Sequence, residues 1–167
     1  MVEGTPLADF ETVYSKYKVF IMDLDGTLMN GSATIPGAAQ SILRLVQDET
    51  KKVLFFTNGG YCNVKYNYDG TMRWLEKDLS AEDFAKIKPH LTIDLFYNTA
   101  LLTGKYLKAK LGHIEDAKVM VVGNSGLLEE IQKQGLEAEM LEVTFEGEEK
   151  PGASITDEHI RNYVIDP

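Results

Sequence analysis

Three runs of four apolar residues punctuate this chain: Val19-Phe20-Ile21-Met22, Val53-Leu54-Phe55-Phe56 and Val119-Met120-Val121-Val122. Each is short, lacks the 3.6-residue period of a helix and ends in turn-forming residues, so each predicts a buried strand. The first is expected to be buried on both faces, as in a parallel sheet. A fourth strand is predicted over 92–97, and a fifth over 137–143. Between them lie helical patterns. Leu7 to Lys16 predicts a short helix. After Pro36, the apolar residues Ala39, Ile42, Leu43 and Val46 fall at i, i+3, i+4 and i+7 of a second. Further helices are predicted from about Thr71, over 81–87 with Ser80 as N-cap and Asp83 three residues on, over 99–111, from Asn124 or Ser125 to about Gln134, and over 154–165. Strands alternating with helices define an α/β fold with a largely parallel sheet. Right-handed crossovers then bring the ends of the first two strands to one rim.

The chemistry concentrates at that rim. The first run leads directly into Asp23-Leu24-Asp25-Gly26-Thr27, two carboxylates one residue apart and a glycine that permits a sharp turn. If strand geometry persists, Asp23 and Asp25 share one side. A D-G hairpin turn is disfavoured because no matching alternating strand follows. An EF-hand fails because its sixth and twelfth positions, counted from Asp23, hold Leu28 and Thr34. Two acids at a strand's carboxyl end suit a divalent cation beside an anionic substrate. The second run ends in Thr57-Asn58-Gly59-Gly60, a hydroxyl, an amide and a flexible backbone. Alone, this is equally a turn-rich strand exit.

Composition narrows the partners. The 167 residues carry a net charge of −9, which argues against nucleic acid or an anionic membrane and requires any anionic substrate to be attracted locally. A single cysteine, Cys62, precludes an internal disulfide. No stretch is long enough to span a membrane and no signal-peptide core is evident, so the expected compartment is the cytoplasm. His90, His113 and His159 lack ligand spacing. Tyr61, Tyr66, Tyr68 and Trp74 are expected to pack in the core and loops.

The Val19–Leu28 segment, apolar strand then D-x-D-G-T, resembles the first motif of the haloacid-dehalogenase superfamily. The resemblance implies that Asp23 is a nucleophile forming an aspartyl-phosphate, and that Asp25 is the acid and then the base. Both would ligate Mg2+, Asp25 through its backbone carbonyl. Members that attack carbon lack the second acid, so Asp25 favours phosphoryl transfer. Thr57, Asn58 and Gly59 resemble the second motif and by that resemblance bind the phosphoryl group. Gly31 and Ile35-Pro36-Gly37-Ala38, the segment 53–59, and 118–135 resemble the class IIA branch, the 4-nitrophenylphosphatase and phosphoglycolate phosphatase group. Gly59 stands where that branch carries a second Asn.

The resemblance implies a Rossmann-like core over 1–112 and part of a cap domain over 113–167, with a small phosphorylated metabolite as substrate. The superfamily's third-motif Lys and fourth-motif acids are not found. Lys150-Pro151 sits in an acidic loop, and Asp94 reads as a strand-flank residue. The chain is therefore expected to be a fragment of a longer magnesium-dependent phosphatase. The alternative is a degenerate member without turnover, serving as a binding or structural subunit. A mutase or phosphotransferase is a third reading, which the cap resemblance disfavours. Without the lost strands, Val19 to Met22 would form an exposed apolar edge, covered by a second copy or another chain.

Overall fold

A computed structural model describes residues 10–31, 33–60 and 62–141. Helix α1 (Phe10–Lys16) leads into β1 (Val19–Asp23), then a short antiparallel hairpin of β2 (Met29–Asn30) and β3 (Ala33–Thr34). Next come α2 (Ala38–Gln47), β4 (Lys52–Thr57), α3 (Val64–Asp78), α4 (Ala81–Ile87), β5 (Phe96–Asn98) and α5 (Thr99–Leu111). Strand β6 (Lys118–Val121), α6 (Ser125–Lys133) and β7 (Glu137–Met140) complete the described chain. The fold is α/β, as predicted.

The main sheet has the order β1-β4-β5, all parallel, with Asp23 opposite Phe56 and Thr57 opposite Asn98. The carboxyl ends of its strands therefore share one rim. Phe55 is fully buried and stacks on Phe96 at 4.4 Å between centroids, and Phe56 stacks on Tyr97 at 4.7 Å. These cross-strand aromatic pairs tie β4 to β5. The amphipathic helix α2 contributes Ala39, Ile42 and Leu45 to the same core. A second, smaller cluster forms around Val121, Ile131 and Leu136 beside the parallel pair β6-β7. Helix α5 bridges the two clusters: Leu101 packs against the first, Leu107 and Leu111 against the second.

Three asparagines start helices α3, α5 and α6. Asn63, Asn98 and Asn124 accept hydrogen bonds from the backbone amides of Tyr66 (2.9 Å), Leu101 (2.9 Å) and Leu127 (3.0 Å). Helix α6 then meets the segment preceding α3 so closely that a Cβ at Gly126 would lie 2.5 Å from the Cys62 carbonyl carbon. Buried Glu130 accepts from the Val64 amide at 3.0 Å and pairs with Lys133 at 2.9 Å, holding α6 against the first turn of α3.

Several expectations require correction. Strand β1 is not buried on both faces: Val19 is 52% and Ile21 64% exposed, while Phe20 and Met22 pack inward. Among the described residues β1 is an edge strand, and no described residue covers the face that carries Val19 and Ile21. The apolar edge expected there is thus open among the described residues. Helix α3 starts at Val64, not near Thr71, because the Asn63 cap and Glu130 stabilise a polar first turn that carries no apolar period. Strand β5 covers only Phe96–Asn98, since a 3-10 turn occupies Ile93–Leu95. Strand β7 ends at Met140. The helix predicted over 154–165 and the start of the one from Leu7 lie outside the described residues, as does Tyr61.

Candidate active site

Strand geometry ends at Asp23, and Leu24 turns into the core at 2% exposure, leaving Asp23 and Asp25 exposed on either side of it. Gly26 takes φ +80°, a conformation that disfavours any side chain. The turn is closed by backbone hydrogen bonds from Gly26 to the Met29 carbonyl (2.6 Å) and from Leu28 and Met29 to the Leu24 carbonyl (3.0 and 2.9 Å). This compact loop holds the two carboxylates at the rim. The Leu24 amide donates to Asp23 Oδ1 at 2.8 Å, which fixes one carboxylate oxygen and leaves the other for a ligand.

Thr57, at the end of the neighbouring strand, is buried, and Asp23 lies opposite the residue just before it. Adjacent strands run ~4.8 Å apart, so Asp23 and Thr57 line one rim. The Gly59 amide donates to Thr57 Oγ1 at 3.0 Å. With that lone pair taken, the Thr57 hydroxyl hydrogen is directed elsewhere. The Gly59 amide is committed to orienting Thr57. Asn58 is exposed, and its carbonyl accepts from Thr99 Oγ1 at 3.2 Å, which anchors the loop to α5. Asn124 Nδ2 donates to the Gly60 carbonyl at 3.1 Å, tying the same loop to α6. Behind the loop, Cys62 is buried, and burial pushes its thiol up from the ordinary value; the nearby Asp25 carboxylate adds to this.

Sequence reasoning did not foresee the wall beside Asp25. Tyr66 and Trp74, expected to be packing residues, line a cavity with that acid, although Trp74 also touches the main core. Their spacing of eight residues puts them on one face only because α3 begins at Val64, seven residues before the predicted start.

The donor chemistry at the rim is all oxygen. Among the described residues no three His, Cys, Asp or Glu side chains cluster as a metal centre. Two exposed carboxylates fit Mg2+, which is commonly held by one or two carboxylates with water and phosphate completing the shell. They do not fit a closed zinc site.

Open parallel α/β sheets bind their ligands outside the carboxyl ends of the strands, which is where the two acids stand. The family model for haloacid dehalogenase-like hydrolases matches residues 20–137, and the chain belongs to that family. It is 29% identical over 129 residues to phosphoglycolate phosphatase 2 of Arabidopsis thaliana, covering 77% of this chain and 38% of that protein. The fold superposes on a 4-nitrophenylphosphatase of Thermotoga maritima with a TM-score of 0.58 at 18% identity, over 89% of this chain and 50% of that one. It also superposes on a glycerol phosphate phosphatase of Mycobacterium tuberculosis in complex with magnesium, with a TM-score of 0.51 at 22% identity, over 72% of this chain and 31% of that one. The chain thus spans about two fifths of the length of the plant relative. Among the described residues no helix is long and apolar enough to cross a membrane.

Proposed function

We propose that this chain carries the phosphoryl-transfer rim of a magnesium-dependent phosphatase for small phosphate monoesters, working in the cytoplasm. The observation that carries the reading is the juxtaposition of exposed Asp23 and Asp25 with buried Thr57 on adjacent parallel strand ends. Names of the family's members and of the fold neighbours support the same chemistry. We assign residues 1–112 to a core unit and 113–167 to a cap unit; the second apolar cluster around Val121, Ile131 and Leu136 supports a separate unit, and Leu107 and Leu111 of α5 also pack in it.

The Asp23 oxygen not held by the Leu24 amide attacks phosphorus. As the P–O bond to the alcohol breaks, Asp25 donates its proton to the leaving oxygen. Asp23 then carries the phosphoryl group as a mixed anhydride. Asp25, now a carboxylate, takes a proton from water, whose oxygen attacks phosphorus and releases inorganic phosphate, restoring both acids. The Thr57 hydroxyl donates to a phosphoryl oxygen, with the Gly59 amide holding its orientation, and the Asn58 side chain closes over the group. Asp23 and the Asp25 carbonyl would hold Mg2+, which supplies positive charge beside the transferring group when bound.

The test is hydrolysis of 4-nitrophenyl phosphate with Mg2+ by the full chain and by Asp23→Asn. Loss of roughly a thousandfold or more is expected, as for removal of a covalent nucleophile. Activity unchanged by the substitution would overturn the assignment. The exposed edge of β1 favours a second reading, a subunit that binds phosphate without turnover. That reading predicts phosphate binding, no product, and a second copy or another chain bound along β1.

A further inference from the structure

The Thr57 hydroxyl serves a phosphoryl group only if its hydrogen points outward, and the loop that decides this does little to hold itself. Gly59 and Gly60 make no backbone–backbone hydrogen bond with a described residue. Two successive glycines leave such a loop wide conformational freedom. Side chains from elsewhere supply the constraint, each on an alternate carbonyl. Thr99 Oγ1 donates to the Asn58 carbonyl at 3.2 Å, and Asn124 Nδ2 to the Gly60 carbonyl at 3.1 Å. Asn98 Nδ2, which also holds Asn67 Oδ1, donates to the Cys62 carbonyl at 2.9 Å.

The first of these contacts lies in line with the chemistry. The Asn58 carbonyl and the Gly59 amide are the two ends of one planar peptide unit and point in opposite directions. Holding the carbonyl at Thr99 therefore aims the amide, which donates to Thr57 Oγ1 at 3.0 Å. One chain of polarity results: the Thr99 hydroxyl, the peptide, then the Thr57 hydroxyl. A peptide ahead of glycine can turn over, because glycine accepts either sign of φ. Turned over, it would present its carbonyl to Thr57, whose hydroxyl would then donate to the loop and be lost to a ligand. Nothing else calls for the Thr99 hydroxyl. Thr99 is exposed, and among the described residues its hydroxyl makes no other hydrogen bond. Asn98 Oδ1 already caps α5 by accepting the Leu101 amide at 2.9 Å. Gly60 keeps the approach open, since an added Cβ there would collide with Thr99 Oγ1.

We propose that Thr99 is a positioning residue for phosphoryl transfer: it locks the Asn58–Gly59 peptide in the orientation that turns the Thr57 hydroxyl hydrogen toward phosphate. The inference rests on the phosphatase reading above and adds a residue to its site. Thr99 acts through Thr57, so its hydroxyl matters to phosphate only while residue 57 carries one. Serine keeps the donor and can replace it. Valine keeps the shape, lacks the donor and cannot.

Calorimetric titration of the full chain with inorganic phosphate in the presence of Mg2+ tests this, with urea midpoints measured on the same proteins. Thr99→Val should weaken phosphate about 3- to 10-fold, the range of one neutral hydrogen bond. Its urea midpoint should stay at the wild-type value, because the side chain is exposed. Thr99→Ser should keep the affinity within about twofold of wild type. Thr57→Val alone should weaken phosphate roughly 10-fold or more, as for a hydrogen bond to a charged group. Adding Thr99→Val to Thr57→Val should then cost less than about twofold, as expected of two residues acting in one chain. Unchanged affinity in Thr99→Val, an equal loss in Thr99→Ser, a loss matched by a lowered urea midpoint, or the same loss with and without the Thr57 hydroxyl would overturn the proposal alone. Failure of inorganic phosphate to bind the wild-type chain would overturn the phosphate-site reading and this inference with it.

Discussion

On one side of β4, β5 is joined by two stacked aromatic pairs, and α3 and α5 pack over the junction. On the other side, β1 pairs over its full length with β4 but shows Val19 and Ile21 to solvent, and no described strand lies beyond it. The covered flank supplies Thr57 and the capped helices. The open flank supplies both acids. Folding and chemistry are thus supported unequally. Thr57, proposed to orient phosphate, sits buried in the core, while Asp23, the proposed nucleophile, ends a strand whose outer face no described residue covers. An exposed apolar strand edge is a site for association.

The contrast is broken most strongly by core truncation. Phe55→Ala, on the covered flank, should cost about 3–5 kcal/mol, read as a lower urea midpoint, and could leave the chain unfolded. Ile21→Thr, on the open flank, should change stability by no more than about 0.5 kcal/mol, because no described residue buries that side chain. Similar losses for both would mean that β1 is covered in solution. Next in size is Glu130→Ala. It leaves the Val64 amide without its buried acceptor at the start of α3, a loss of about 1–3 kcal/mol in the same titration.

The smallest effect concerns pH. Hydrogen bonds from the Thr50 hydroxyl and the Tyr14 hydroxyl, followed by the Thr50 amide, hold the Asp48 carboxyl down at about 2 from an ordinary 3.8. A depressed carboxyl stabilises the fold above its unfolded value and loses that contribution as pH falls toward its folded one. The stability gap between wild type and Asp48→Asn should therefore be constant above pH 3.8 and shrink toward pH 2. A gap independent of pH across that window would show that the network does not form.

Much of this was legible in the sequence where one signal acted alone. The apolar runs located β1, β4 and β6, Ser80 located α4, and Asp23-Leu24-Asp25-Gly26-Thr27 located the rim. The residues missed were those decided by partners distant in the chain. Val64 begins α3 because Glu130, 66 residues on, accepts its amide. Asn67 has a spare donor because Asn98, 31 residues on, occupies its oxygen. No local pattern encodes either fact. The open side of β1 was legible only through the resemblance: the apolar run alone reads as buried, and it was the missing strands that implied an exposed edge.

The central claim is that Asp23 forms the covalent intermediate. The direct measurement is acid quenching of the full chain during turnover of 4-nitrophenyl phosphate with Mg2+, followed by borohydride reduction and peptide mass spectrometry. Conversion of residue 23 to homoserine, absent in Asp23→Asn, is the predicted result. Turnover by the wild-type chain with residue 23 recovered intact, or with another residue modified in its place, would contradict the account.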